Sequence, residues 1–138
     1  MMRMKIENAE GFRSMADKIA AIMEDEVDQL AKEVERDYLK QLKANSPVDH
    51  DGDDPGKLSR SWKGTAKKLG TRGRMVTVEN DSGYTHYVEY GHRIVVRGKD
   101  VGYQRGRFFV KKSRNKVLRS LPKRYKAMGA RIGRRMGE

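Results

Sequence analysis

The stretch Tyr84-Thr85-His86-Tyr87-Val88-Glu89-Tyr90-Gly91-His92-Arg93 gathers three tyrosines and two histidines into ten residues. It follows an alternating apolar and polar run over residues 75–80, a pattern typical of a half-buried strand. Within the stretch the periodicity is ambiguous, because Tyr84, Tyr87 and Val88 fit one turn of a helix whereas Val88 and Tyr90 fit a strand. Spacing alone therefore leaves both conformations open.

Upstream of this stretch, apolar residues recur at three- and four-residue steps and predict a long amphipathic helix over residues 11–44. Its apolar stripe consists of Phe12, Met15, Ile19, Ile22, Met23, Val27, Leu30, Val34, Tyr38 and Leu42. Pro47 ends the pattern, since a proline disfavours helical geometry in the preceding residue. At about 1.5 Å per residue the helix approaches ~50 Å. We expect it to protrude beyond its own core or to pack against a neighbouring subunit.

The rest of the chain reads as short strands followed by a second helix. Turn residues predict a loop over residues 49–56, and residues 58–69 form a turn or strand in which Trp62 anchors the core. Basic residues 67–74 form a hairpin tip, residues 94–96 a strand, and residues 97–107 a glycine-rich basic loop. A second helix begins near Phe109, and Pro122 is predicted to interrupt or kink it.

These elements predict an α+β fold, with the long N-terminal helix packed on a small, mainly antiparallel sheet and followed by a basic C-terminal helix. The 138 residues suit one domain. Within it we expect the helix over 1–45, the sheet with both loops over 46–110, and the basic helix or tail over 111–138. Cysteine is absent, and no apolar run is long enough to cross a bilayer, so we expect no membrane association.

Charge is distributed unevenly along the chain. The sequence has 31 basic and 19 acidic residues, a formal net charge of +12. Residues 1–45 carry a net −2 and residues 46–138 a net +14, and residues 97–138 hold 15 basic residues against only Asp100 and Glu138. Such asymmetry predicts a polyanion nearby, either nucleic acid or an acidic protein surface. Since no base-reading motif is present, DNA contacts would run through phosphates and depend strongly on salt.

Metal and catalytic sites are poorly supported. The aspartates of residues 49–56 resemble a calcium loop, but the twelfth position counted from Asp49 is Arg60, where a carboxylate is required. His86 and His92 are six residues apart, which is not the spacing that places two ligands on one helical face, and His50 stands alone. We expect no cofactor, no metal and no enzymatic activity.

Glu89 is unusual because it lies among tyrosines, where an unpaired carboxylate is costly. Arg93, or an arginine of the basic loop, is the natural partner for a latch or an intersubunit ion pair. The alternative is an ordinary surface carboxylate on a short helix.

Four segments together resemble a family of virion proteins of long-tailed bacteriophages, the neck or tail-completion proteins that join head and tail. They are Ser46-Pro47-Val48-Asp49, Gly56-Lys57-Leu58-Ser59-Arg60-Ser61-Trp62, Tyr87-Val88-Glu89-Tyr90-Gly91-His92-Arg93 and Gly106-Arg107-Phe108. The resemblance covers residues 46–109. The family motif runs on from aspartate to glycine, whereas here an insertion separates Asp49 from Gly56. The resemblance favours a short helical turn that ends at Gly91.

The resemblance implies a structural protein of the virion, assembled in the host cytoplasm as a ring around the DNA channel. Its partners would be head-closure or connector proteins and the tail terminator. Assembly contacts are expected from Tyr84, Tyr87, Glu89, Tyr90, His92 and Arg93. Contacts to packaged DNA or to an acidic partner are expected from Arg97, Lys99, Arg105, Arg107, Lys111, Lys112 and Arg114. The charge also permits a free, sequence-independent DNA-binding protein, and scattered serines and histidines leave a small hydrolase as a third class.

Overall fold

The computed structural model describes residue 2 and residues 9–49, 52–70 and 73–137. The helices are α1 (Ala9–Asn45), α2 (Lys57–Arg60), α3 (Thr85–Tyr90) and α4 (Phe109–Met136). The strands are β1 (Trp62–Leu69), β2 (Gly73–Asn80), β3 (Gly91–Val96) and β4 (Lys99–Arg105). His50 and Asp51 of the acidic loop, and Thr71 and Arg72 of the first hairpin tip, lie outside the described residues.

The predicted α+β class is confirmed, but the strands form two separate antiparallel pairs instead of one sheet. In the first pair, Trp62 lies opposite Asn80 and Leu69 opposite Gly73. In the second, Gly91 lies opposite Arg105 and Val96 opposite Lys99, with an irregular register after Ile94. α1 packs on β1 and β2 on one side and on α4 on another. The main contact of the β3–β4 pair with the rest of the described chain is that of β3 with α3.

The core lies at the C-terminal end of α1. Leu42, Leu58, Trp62 and Phe109 form one buried cluster, in which the Trp62 and Phe109 rings meet edge to face at a centroid distance of 6.2 Å. The Trp62 indole N–H donates to the Ser46 hydroxyl at 2.9 Å, so the end of α1 is tied to the start of β1. The prediction that Trp62 anchors the core is therefore confirmed.

α4 runs antiparallel to α1 and passes through Pro122 without ending. Of the two predicted effects of Pro122, the interruption is therefore wrong, and the kink stays a prediction. Proline removes only one backbone donor, and the following turns are held against α1 by ion pairs. Arg124 contacts Glu33 and Asp37, and farther along α4, Arg131 contacts Glu26. The basic C-terminal region is thus partly neutralised by the acidic N-terminal helix of the same molecule.

The predicted basic loop over residues 97–107 is also wrong, because most of it forms β4. The chain reverses between β3 and β4 through Arg97 and Gly98, whose φ angles of 51° and 76° are both positive. Two central residues with positive φ are typical of a type I′ turn, which matches the twist of antiparallel strands. The segment predicted as a loop is one strand of a β-hairpin with a two-residue turn and an irregular register after Ile94.

Candidate assembly interface

The tyrosine-rich stretch folds as the short helix α3 and leads directly into β3. Tyr87 is 53% exposed and Tyr90 57% exposed. The ring of Tyr87 contacts that of His92 at a centroid distance of 5.9 Å, and the ring of Tyr90 contacts that of Phe108 at 6.3 Å. The rings therefore form an exposed aromatic surface, supported partly by one another.

Glu89 points away from this surface and is only 5% exposed. Its carboxylate accepts two hydrogen bonds from backbone N–H groups at the start of α4: Val110 at 2.8 Å and Lys111 at 3.0 Å. The first amides of a helix have no partner within the helix, and a negative charge there also interacts favourably with the helix dipole. Phe108, which precedes the helix, provides no side-chain cap. Glu89 supplies that cap from 21 residues upstream.

The predicted pairing of Glu89 with Arg93 or with an arginine of residues 97–107 is therefore wrong, and so is the alternative of a surface carboxylate. Arg93 instead lies 3.8 Å from Asp100 on the neighbouring strand, and both side chains are largely exposed. The physical reason is geometric: α3 is packed against the N-terminus of α4, where backbone amides satisfy a buried carboxylate without a cation.

Backbone contacts reinforce this junction between α3 and α4. The N–H groups of Arg107 and Phe108 donate to the carbonyls of Val88 and Glu89, at 2.9 and 3.1 Å. A Cβ atom on Gly106 would lie 2.4 Å from the Glu89 carbonyl oxygen, closer than any side chain permits. Gly106 thus allows the two backbones to approach closely, and these hydrogen bonds anchor the base of the β3–β4 hairpin to α3 and the start of α4.

All described residues of the β3 and β4 strands except Gly91 are exposed, although five of them have large apolar side chains. Ile94, Val95, Val96, Val101 and Tyr103 are 38–61% exposed. An isolated two-stranded hairpin is marginally stable in water, and large exposed apolar patches mark interaction sites. Because successive strand residues lie on opposite faces, these side chains are presented on both faces of the hairpin. These five residues were not among the sequence-based candidates. The run Ile94-Val95-Val96 was the available signal, but it was interpreted as an ordinary strand of the core sheet.

The structure brings some of the sequence-predicted residues together and separates others. Tyr84, Tyr87, His92, Arg105 and Arg107 line a cleft of about 330 Å³, whose other side includes Asp49 and Asp54 of the insertion. Tyr90 and Arg93 lie outside this cleft, and Glu89 is buried behind it. The insertion thus faces the aromatic stretch, which makes the cleft a mixed aromatic and charged surface.

The seven basic candidates are all exposed and lie on two neighbouring elements. Arg97, Lys99 and Arg105 lie on the hairpin. Arg107 precedes α4, and Lys111, Lys112 and Arg114 lie on its first two turns. None of the seven forms an ion pair with another described residue. They form a free basic surface next to the aromatic stretch.

Farther along α4, three arginines (Arg124, Arg131 and Arg135) are paired with acids of α1. Glu26 is buried and accepts from Arg131 at 2.9 Å and from Arg135 at 3.0 Å. The hydrogen bond from Arg131 lowers the pKa of Glu26 below its ordinary value, burial opposes that effect, and the Arg135 contact adds to it. Arg135 also contacts Asp25 at 2.7 Å. This end of α4 serves helix packing.

Comparison with protein families relates the chain to a known family. A family model described as "Bacteriophage HK97-gp10, putative tail-component" matches residues 8–91. That span includes all of α1 and everything through α3. No curated protein and no solved structure matches the chain significantly. Within the described residues, no helix is long and apolar enough to cross a membrane.

Proposed function

The chain belongs to the HK97 gp10-like family of bacteriophage tail components, and on that premise we propose that it acts in head–tail joining or tail completion. In this role several copies form a ring around the DNA channel, between the head-closure or connector proteins and the tail terminator. The protein is made in the host cytoplasm and becomes part of the neck or tail of the virion.

The observation that supports this role is the exposed β3–β4 hairpin. Its apolar side chains face solvent in the single chain, yet its base is fixed by Glu89 and Gly106. A rigidly held apolar element loses little conformational freedom when it binds, so it suits a permanent contact between proteins. Nothing about it suits catalysis, which needs a sequestered reacting centre.

The aromatic stretch and the basic surface next to it supply the remaining contacts in this proposal. Tyr84, Tyr87 and His92 meet a neighbouring virion protein, since tyrosine combines a large apolar area with a hydrogen-bonding group. The basic residues of the hairpin and of the start of α4 face either the packaged DNA or an acidic ring of a partner. Contact with DNA would be limited to phosphates.

A second candidate, a sequence-independent DNA-binding protein, is favoured by one observation: the seven exposed cations carry no ion pair within the described residues. Against it, Arg124, Arg131 and Arg135 are engaged by acids of α1. However, the exposed residues Lys116, Arg119, Lys123, Lys126 and Arg134 of α4 form no ion pair with another described residue, so light scattering with random DNA has to separate this candidate from the first.

Deletion of the gene tests the proposal. We expect full heads and unattached tails to accumulate separately in the lysate, because the protein is proposed to act at the step that connects them. Expression of the wild-type protein from a plasmid should restore joined particles. As a control for the hydrolase alternative, His86→Ala should restore joining as well. Joined, infective particles in the deletion strain would contradict the proposed role.

A further inference from the structure

One flank of α4 carries a regular row of positive charges. Between Phe109 and Met136 the helix contains eleven lysines and arginines and no aspartate or glutamate. Six of these cations recur at steps of three or four residues, with Ala130 at one step, so they share one side of the helix. They are called here the α4 basic stripe: Lys112, Lys116, Arg119, Lys123, Lys126 and Arg134. All six are exposed, and none forms an ion pair with another described residue.

The stripe is separate from the two faces of α4 that pack on its own chain. Arg124 and Arg131 face α1, where they contact acids. Leu121, Tyr125 and Met128 line a cleft of about 360 Å³ against α1 and β2. At ~100° of rotation per residue, the stripe lies on the flank opposite this apolar cleft. Packing within the chain therefore leaves the stripe uncovered.

Within a single free chain this arrangement of charges is unfavourable. Like charges three or four residues apart on a helix repel each other and destabilise the helix. The stripe places four such pairs in succession between Lys112 and Lys126. Acids of α1 neutralise three arginines of α4, but none of the stripe residues among the described ion pairs. A polyanion that runs along the stripe would relieve this repulsion.

The composition of the stripe favours DNA over an acidic protein surface. Four of its six residues are lysines, a residue type depleted in protein–protein interfaces, where aromatic residues, methionine and arginine are enriched. No aromatic or large apolar side chain stands in the row, whereas the β3–β4 hairpin exposes several. Lysine is a flexible, strongly hydrated point charge. It suits a phosphate backbone, which is bound through charge and carries no sequence information directly.

The length of the stripe corresponds to about one helical turn of duplex DNA. From Lys112 to Arg134, α4 extends about 33 Å at ~1.5 Å per residue. At ~3.4 Å per base pair, this equals about ten base pairs. One copy can therefore offer six cations to neighbouring phosphates along one side of a duplex.

We propose that the α4 basic stripe contacts the phosphate backbone of the packaged DNA. The inference rests on the proposed ring around the DNA channel, and it selects DNA from the two partners considered for the basic surface at the start of α4. The stripe continues that surface from Lys112 to the far end of the helix. Because several copies in a ring act on one duplex, each copy needs to bind only weakly on its own.

Binding of a short random duplex by the purified full-length protein tests the contact. Fluorescence anisotropy over a series of salt concentrations gives the slope of log affinity against log salt, which should be about −5 for six phosphate contacts. Between about 50 and 200 mM salt the affinity should fall about a thousandfold, so isolated copies release DNA at moderate salt. The triple variant Lys116→Gln/Lys123→Gln/Lys126→Gln should reduce the slope to about −3 and weaken low-salt binding at least about tenfold.

The matched control is Lys32→Gln/Lys57→Gln/Lys67→Gln, which removes the same charge. These exposed lysines are scattered over α1, α2 and β1 and form no ion pair with another described residue. The control should keep the wild-type slope. Since the stripe variant removes all four repulsive pairs, its melting temperature should equal or exceed that of the wild type. An unchanged slope in the stripe variant, or an equal reduction in the control, would overturn the proposal.

A cross-link within the virion identifies the partner. The deletion strain is complemented with a protein that carries a diazirine analogue of lysine at position 123, and purified joined particles are illuminated. We expect an adduct that nuclease shortens, and no such adduct from the analogue at Lys67 on β1. Adducts with other virion proteins alone would overturn the proposal in favour of an acidic partner.

Failure of this inference can be distinguished from failure of the proposed function. If the stripe variant keeps the wild-type salt slope while the deletion strain accumulates separate heads and tails, the joining role stands and the DNA contact of α4 is refuted. If the deletion strain forms joined particles, the joining role is refuted, whereas the salt slope of the purified protein still decides whether the stripe binds phosphates.

Discussion

Replacing Glu89 with alanine should destabilise the protein by about 3–5 kcal/mol. The carboxylate makes two hydrogen bonds to backbone amides of α4 and is nearly inaccessible to solvent. A hydrogen bond to a charged group contributes about 1.5–3 kcal/mol, and the substitution removes both while leaving two helix N–H groups unpaired. Against a typical stability of about 5–15 kcal/mol, this is a large fraction of the total.

Glu89→Gln removes the charge of the side chain and keeps its size and shape. The amide keeps one acceptor oxygen, but its NH₂ group faces a backbone N–H that it cannot satisfy. We therefore expect about half of the alanine effect, roughly 1.5–3 kcal/mol. The matched control is Glu79→Ala on β2, an exposed glutamate whose loss should change stability by no more than about 0.5 kcal/mol.

Urea unfolding followed by circular dichroism measures these differences, with an unchanged slope against urea as the check that only stability has altered. Hydrogen exchange at the amides of Val110 and Lys111 localises the effect and should accelerate in the alanine variant. If Glu89→Ala unfolds at the same urea concentration as Glu79→Ala, the carboxylate is not the cap of α4, and the rigid attachment of the hairpin is refuted.

Three further predictions concern helix packing, the junction and DNA. Glu26→Gln should lower the free energy of unfolding by about 1.5–3 kcal/mol at neutral pH. Because the pKa of Glu26 is lowered in the folded protein, the stability that its carboxylate contributes is present above the ordinary carboxyl pKa and is lost as pH falls through the folded-state pKa. The gap in melting temperature between wild type and variant should therefore close in acid, and a gap independent of pH would contradict this. Gly106→Ala should destabilise the protein by more than about 2 kcal/mol through backbone overlap, whereas Gly102→Ala, whose Cβ would meet only Ile94 at 3.9 Å, should be tolerated in the same melt. By light scattering, random duplex DNA should leave the molar mass unchanged at moderate salt, and persistent DNA-bound species would favour the DNA-coating alternative.

The long helix was predictable because its periodicity extends over many turns. The expected bounds, residues 11–44, lie within the observed Ala9–Asn45, and the strand predicted from residue 75 lies within β2. Repeated burial of one helix face produces an apolar periodicity that is visible in the sequence. The conformation of residues 85–90 is different, since spacing left it open and only the family resemblance indicated a helical turn, which α3 confirms.

β4 was missed for a physical reason. Its residues are exposed on both faces, so no buried face imposes the apolar and polar alternation by which strands are recognised. The turn gave a weak signal, because Arg97-Gly98 is not among the dipeptides preferred in type I′ turns. A hairpin that is covered only in an assembly does not carry the pattern of a strand in a core.

The partners of Glu89 could not be predicted from the sequence, because every residue except proline has a backbone N–H group and the residue type therefore does not identify the donor. The sequence indicated that a carboxylate among tyrosines needs a partner, and a cation was the natural expectation. Likewise, the arginines of α4 are satisfied by acids about 90 to 110 positions away on α1, a pairing set by the antiparallel packing of two helices. The need for partners was predictable, but their identity depended on the fold.

Immunogold electron microscopy of purified particles tests the assembly role most directly. An antibody against the protein, applied to intact virions and to separated heads and tails, reports where the protein resides. We expect label at the head–tail junction or the adjacent end of the tail, and none along the tail shaft. Particles that are infective and fully joined yet contain no detectable copy of the protein would contradict its role as a structural component of the virion.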